Sequence, residues 1–426
     1  MLKEYTQLPR PVHILCLGML LNRAGSFFIV FLTIYLSREL GFSIQFATLT
    51  IGAAGLGAMV GSIVGGQLAD QLGRRIVMIF ALLGSAAILM ALSFVRQPIP
   101  FLIGIFCFST VIDMYRPAAS AMIGDLVKPE NRQYSFGLMY ISINMGFAIA
   151  PPLGGFLAEF SWQWLFWADA ITTTIFGVVI WALIPETLPQ PGTSEDESFT
   201  TRPDKPKREL SFAEASLRIA SDRPFVTFCL ATFLISVVFM QSVSTLPVAM
   251  MDLGISAAKY GRLIAINGVM IVVLQLPLTR LLSRYDRMSV IAIGGLLISI
   301  GFGMNAFATT TTFFAMAIAV WTFGEMFQAP FQQAVVTDLA PADLRGRYFG
   351  VYSMSHCMAL TLGAPFGGMI LERYGEQMLW NASLLTGLLA VALYVLARAR
   401  IQQRFESPTI ESIPEPVTID TVSADR

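Results

Sequence analysis

The sequence predicts an all-α membrane protein, with twelve transmembrane helices in two pseudo-symmetric six-helix bundles. Three observations carry this: an apolar composition, twelve apolar runs long enough to cross a bilayer, and a repeat relating the first six runs to the last six. Of 426 residues, 55% are hydrophobic and only 13% charged, and mean hydropathy is +0.66. Soluble chains carry about 25% charged residues, so lipid is the solvent for most of this surface. The formal net charge of zero gives no basic footprint, and no nucleic-acid partner is expected.

A helix needs about 20 apolar residues to cross the hydrocarbon core. Spans 1 to 12 fall at 12–37, 44–69, 74–95, 99–127, 133–158, 162–184, 223–250, 258–282, 287–308, 311–339, 345–371 and 376–398. The runs are continuous rather than alternating with period two, which excludes a β-barrel. Residues 1–11 lead into span 1 without a small-residue cleavage site, so span 1 is read as a retained helix and not a signal peptide. With both termini inside, the inner segments hold 21 of the 28 Lys and Arg residues and the outer loops five. That bias predicts cytoplasmic termini. The four cysteines lie in apolar runs without metal-ligand spacing and are read as packing residues.

The longest polar stretch, 185–222, has the composition of a flexible linker. It divides the chain into an N-terminal bundle (1–184) and a C-terminal bundle (223–400), followed by a polar tail (401–426). The bundles repeat at an offset of 213 residues: Pro117 matches Pro330, Asp125 Asp338, Arg132 Arg345, Gly154 Gly367, Trp167 Trp380 and Arg74 Arg287. The register holds without a gap for about a hundred residues, and chance apolar similarity would not align Pro, Gly, Asp and Arg together.

Two local patterns stand out. The span 2–3 connection reads Gly66-Gln67-Leu68-Ala69-Asp70-Gln71-Leu72-Gly73-Arg74-Arg75. Span 5 carries Gly137, Gly146, Ala150-Pro151-Pro152 and Gly154-Gly155. Small residues on one face let helices approach closely, and proline bends a span. On these residues the chain resembles the major facilitator superfamily over 12–398. The first pattern is similar to that family's G-x-L-A-D-R-x-G-R-R signature, with Gln71 in place of a basic residue. The second is similar to a motif of its proton-coupled antiporter branch, with Ala150 in place of a glycine. Gly324-Glu325 followed by Pro330 in span 10 resembles a feature of some bacterial multidrug:proton antiporters. The arginine that drug antiporters carry early in span 4 is absent; Cys107 stands near that place. The resemblance implies a gate in which Arg74 bonds Asp125, while Asp70 faces the start of span 11 near Arg345.

Charges inside spans are expensive and mark cavities or partners. The inventory read from the sequence is Arg23, Asp113, Arg116 and Glu325, which sums to zero. Asp113 and Arg116, three apart on one helix face, form either a self-satisfied pair or part of a cavity wall with Arg23. Glu325 has no cation on its own helix, so it is either hydrogen-bonded to a neighbour or a proton carrier, with Asp113 the second candidate. Asn22, Tyr115, Asn144, Gln241, Asn267 and Gln328 complete the expected lining. His356 is read as a packed, hydrogen-bonded side chain.

No G-x4-G-K-[ST] loop and no Cys/His cluster is present, so neither ATP hydrolysis, a cofactor nor a metal is expected. The chain is read as no enzyme, and as drawing on an ion or substrate gradient. The resemblance implies a monomeric carrier in a bacterial-type inner membrane, exporting drugs or other amphipathic small molecules against protons. A narrow metabolite carrier is the alternative, since paired arginines bind carboxylates. A non-transporting receptor is disfavoured by the Asp70/Arg74 signature and by Glu325.

Overall fold

The computed structural model describes residues 8–128, 131–188, 212–341 and 344–406, and these residues are helical apart from short connections. Ten helices among them are long and apolar enough to cross a membrane. The last runs from Arg345 to Ile401 over 57 residues. At about 1.5 Å per residue that is far more than a bilayer's hydrocarbon thickness. It breaks at Gly375, whose φ of 82° is non-helical, and so makes two passes. Thr311–Leu339 has the length of a span, 29 residues, with its apolar run interrupted by Glu325 and three glutamines. Counting these, the described residues make twelve passes in two bundles.

A proline sets the break in span 4. Pro117 has no N–H to offer the Asp113 carbonyl, and span 4 divides there into Pro98–Asp113 and Tyr115–Leu126. Its repeat mate Pro330 frees the Met326 carbonyl, which instead accepts from Gln275 Nε2 at 3.1 Å, so Thr311–Leu339 stays continuous. Span 1 joins Arg10–Ala24 to Phe28–Ile34 and a π-helical turn at Tyr35–Glu39. Span starts are capped from solvent-facing side chains: Ser43 accepts from Phe46 N, Ser256 from Lys259 N and Asp286 from Ser289 N.

Part of the predicted linker, 189–211, lies outside the described residues, as does the tail beyond 406. The linker's last stretch departs from expectation. Phe212–Ser221 is helical, with Ile219 buried; an apolar anchor lets a polar stretch pay the entropy of ordering.

The bundles meet at one end and part at the other. At the end carrying the span 1–2, 7–8 and 11–12 connections, spans 5 and 8 and spans 2 and 11 press together. A Cβ on Gly155 would lie 2.8 Å from the Ala257 carbonyl oxygen, and one on Gly52 2.6 Å from the Thr361 carbonyl oxygen. Arg38 pairs with Asp252 across this seam, and Gln45 N donates to Glu372 Oε2 at 2.6 Å. At the opposite end Asp70 of span 2 is 74% exposed, and Arg345, Gly346 and Arg347 at the start of span 11 are exposed as well. The molecule is sealed at the first end and open at the second.

Candidate functional site

Three cavities adjoin one another through shared lining residues, one between the bundles and one within each bundle. One of about 320 Å³ is walled by Asn22, Arg23, Asp113, Tyr115 and Arg116 on the N-terminal side, with Met240 and His356 opposite. A second, about 290 Å³, lies in the C-terminal bundle against Glu325, Gln328, Gln332 and Tyr352, and shares Met240 and His356 with the first. A third, about 210 Å³, lies between spans 1, 4 and 5 and shares Asn22, Arg23, Tyr115 and Arg116.

On the N-terminal wall, Arg116 Nε holds Asp113 Oδ1 at 2.8 Å, the arginine side chain 60% exposed and the aspartate nearly buried. Both readings of this pair hold together: it is self-satisfied and it faces the cavity. Arg23 lies within electrostatic range of Asp113, Arg116 and Asp169, yet makes no ion pair or hydrogen bond among the described residues. Asp169, in span 6, is the residue the sequence inventory missed. It is buried, accepts from Thr173 Oγ1 at 3.4 Å and from the Phe28 backbone N–H, and lines the central cavity. Thr173 in turn accepts from Asn22 Nδ2 at 2.9 Å. With Asp169 the charges inside the spans number two arginines against three acids, not zero. Its position behind the aromatic cluster Trp162, Trp164 and Trp167 makes it look interfacial, but a plain count of acids within 162–184 finds it.

On the C-terminal wall, Glu325 Oε2 accepts from Asn267 Nδ2 at 2.7 Å, and Asn267 also donates to Thr322 Oγ1. No cation pairs with Glu325 among the described residues; Tyr140 of the other bundle is within electrostatic range. Gln328 donates to the Ile291 carbonyl at 3.1 Å and accepts from Gln332. His356 Nδ1 is bonded to Ser236 Oγ at 2.9 Å and stands edge-on to Tyr352.

Two expected lining residues serve packing instead. Gln241 is tied to the Gly363 and Val237 carbonyls, both at 3.0 Å, because the π-helical turn at Ala359–Gly363 leaves a carbonyl to satisfy; it borders a separate cavity beside spans 11 and 12. Asn144 turns its amide back to the Tyr140 carbonyl at 2.8 Å.

The span 2–3 signature is assembled at the open end. Arg74 reaches Asp125 at 3.1 Å and Asp70 at 3.5 Å, and Arg75 donates to the Trp181 carbonyl. Gly66 faces Pro117. Gly73 takes φ 107°, and a Cβ there would strike the Glu186 carboxylate at 2.4 Å. Glu186, read from the sequence as the start of the linker, accepts from Arg74 N and Arg75 N at 2.9 and 3.1 Å and caps span 3, where a carboxylate meets the helix dipole. The expected contact between Asp70 and Arg345 is not made. Asp70 is 74% exposed, because this end of the bundles is apart. The repeat mate of the Arg74–Asp125 pair, Arg287–Asp338, is also formed.

The span 5 pattern is a packing device. Gly137 lies in the first turns of span 5. Gly146 lies against Arg23 and Leu20, Gly154 against Phe27 and Phe31, and Pro151 and Gly155 against the start of span 8. The four cysteines are free thiols.

Two helical bundles around a central cavity, with polar groups facing each other across it, are the architecture of a membrane carrier. The family model described as Major Facilitator Superfamily matches residues 15–364 and 228–419, and the chain belongs to that superfamily. It is 28% identical over 410 residues to the uncharacterized MFS-type transporter YttB of Bacillus subtilis, covering 95% of this chain and all of that one. It is 27% identical to a Na(+), Li(+), K(+)/H(+) antiporter of Planococcus maritimus (78% and 82% covered), and 25% identical to the multidrug resistance protein MdtH of Photorhabdus laumondii (89% and 92%). Among solved structures, a peptide transporter POT in complex with sulfate superposes with a TM-score of 0.74 at 18% identity, covering 93% of this chain and 95% of that one. The nucleoside transporter NupG superposes with a TM-score of 0.72 at 16% identity (90% and 99%). These are transporters, not enzymes; the chain is a multi-pass membrane protein and a secondary transporter of small molecules.

Proposed function

We propose that this carrier exports amphipathic small molecules in exchange for protons, with Glu325 as the coupling acid. The observation that carries the reading is the setting of Glu325: a carboxyl in the cavity wall, held by the neutral Asn267 amide and without a paired cation. An acid so placed changes its interaction with cargo when it gains or loses a proton. Asp113 is already engaged by Arg116 at 2.8 Å, which leaves its carboxylate less available to cargo. The relatives named as a cation/H(+) antiporter and as a multidrug resistance protein support exchange and export.

In this reading both termini are cytoplasmic, in a bacterial-type inner membrane, and the open end faces the cytoplasm. Cargo enters there and displaces the proton of Glu325. The bundles then rock, the seal at Arg38–Asp252 and Gly155 opens, and Asp70 swings toward span 11 as the Arg74–Asp125 end closes. Outside, a proton on Glu325 weakens its hold on cargo. The protein works as a monomer. A narrow metabolite carrier is the second reading, favoured by Arg23 and Arg116 on one wall.

Glu325→Gln keeps shape and removes the titration. In energised inside-out vesicles it is expected to abolish pH-driven uptake of a fluorescent amphipathic substrate while leaving downhill exchange measurable. Wild-type response to the pH gradient in the variant would overturn the assignment.

A further inference from the structure

The guanidinium of Arg23 is the one charge in the cavity wall left without a bonded partner among the described residues, although two carboxylates stand within electrostatic range. Its acids lie toward the central cavity: Asp113 is committed to Arg116, and Asp169 to Thr173 and the Phe28 N–H. Its other side opens on the 210 Å³ cavity, into which Arg116, Asn22, Tyr115 and Ser120 also face. Arg116 uses only Nε on Asp113, so the rest of its fork is free on a side chain 60% exposed. The Tyr115 hydroxyl beside them is buried and without a hydrogen-bond partner. Arg23 is half-buried, so it gives up part of its hydration without gaining a bonded partner, and two guanidinium forks beside an unsatisfied hydroxyl supply the donors that a carboxylate takes.

We propose that this pocket is an anion subsite that receives the carboxylate of the transported molecule, so that the cargo class is amphipathic acids and zwitterions rather than simple cations. The carboxylate docks on Arg23 and Arg116, and the apolar body extends past Met240 toward Tyr352 and Phe239, which line the C-terminal cavity. A basic nitrogen at the far end of a zwitterion then faces Glu325, where a proton can replace it. The proposal deepens the export reading by naming the cargo at the same site.

Binding to the purified, detergent-solubilised protein tests it without any gradient. The probes are 1-naphthylacetate and 1-naphthylacetamide, which share a ring and differ in charge. At pH 7 wild type is expected to bind the carboxylate at least tenfold more tightly than the amide, and Arg23→Gln to bring that ratio to about one. If Arg23→Gln does not give a monodisperse protein, Arg23→Lys is used; it keeps a charge but loses the fork, and the ratio is expected to fall at least threefold. A wild-type ratio near one, or an unchanged ratio in the variant that folds, overturns the subsite. A wild-type ratio near one with pH-driven export intact rejects the subsite alone. A retained ratio with no pH-driven export in wild type rejects the coupling reading alone.

Discussion

The two bundles are copies of one design that agree at their ends and differ in their middles. At the open end each carries the same ion pair, Arg74–Asp125 in one and Arg287–Asp338 in the other. In the cavity the N-terminal wall holds Arg23, Arg116, Asp113 and Asp169, while the C-terminal wall holds Glu325 among amides and aromatic rings. The repeat places Ile112 opposite Glu325 and Met326 opposite Asp113, so the acids stand one position apart in the repeat, not in equivalent places. The lesson is a division of labour. Ends that must open and close by the same motion keep the same chemistry, whereas a site that must grip an asymmetric molecule needs two different walls.

Neutralising the acids of the N-terminal wall is the most direct break in this comparison. Asp113→Asn frees Arg116 from its 2.8 Å partner and leaves two unpaired guanidinium groups. Transport is expected to shift by at least fivefold from cationic toward carboxylate-bearing substrates, read as the ratio of initial rates in vesicles. Asp169→Asn removes a charge that faces Arg23 but keeps an acceptor for Thr173 and the Phe28 N–H. It is expected to lower rates several-fold without changing the response to the pH gradient. An equal loss for all substrates in Asp113→Asn would make that pair structural. Loss of the pH response in Asp169→Asn would move coupling to the N-terminal wall.

The fold was legible because membrane helices announce themselves by length and hydropathy, and because the repeat aligned Pro117 with Pro330 and Asp125 with Asp338 without a gap. The pair of Arg74 with Asp125 followed from the family resemblance, and the Asp113–Arg116 contact from helical spacing. Other parts were not legible for physical reasons. Gln241 looks like a cavity amide in sequence, but a π-helical turn 120 residues away leaves a carbonyl that claims it. Glu186 sits at the edge of a polar stretch and reads as linker, yet Gly73 clears the space that brings its carboxylate onto span 3. Asp286 fills that capping role in the second copy from within its own turn. Asp169 was hidden by aromatic neighbours, and the Asp70–span 11 contact depends on which end of the carrier is closed, a property of conformation rather than of sequence.

The repeated ion pairs permit a finer comparison. Arg74 is 12% exposed and holds two carboxylates, with a third on its backbone N–H. Arg287 is 49% exposed on an Asp338 that is 47% exposed. Exposed pairs contribute about 0.2–1 kcal/mol, and partly buried networks more. Arg74→Ala is therefore expected to cut turnover at least tenfold with expression intact, and Arg287→Ala no more than threefold. Equal effects would show that the two bundles contribute alike to gating and that the extra contacts of Arg74 do not matter.

The smallest effect is expected at the sealed end, where Arg38 meets Asp252 across the bundles. Both side chains are about two-fifths exposed, so water and salt screen the pair, and its contribution lies near the low end for surface ion pairs, about 0.2–0.5 kcal/mol. The seal rests more on contact that no charge change disturbs: Gly155 on the first turn of span 8, Gly52 on the Thr361 carbonyl, and the edge of Phe31 on Tyr260, with ring centroids 5.5 Å apart. Asp252→Asn is accordingly expected to change transport by less than twofold, with the difference vanishing at high ionic strength. Gly155→Val puts three carbon atoms where even one would lie 2.8 Å from a carbonyl oxygen, and is expected to make a cysteine placed at the half-buried Ala258 on span 8 more reactive to a membrane-impermeant maleimide by wedging this end apart. A reversed order, with Asp252→Asn opening the seam and Gly155→Val leaving it shut, would mean that charge rather than close packing holds the carrier in its present state.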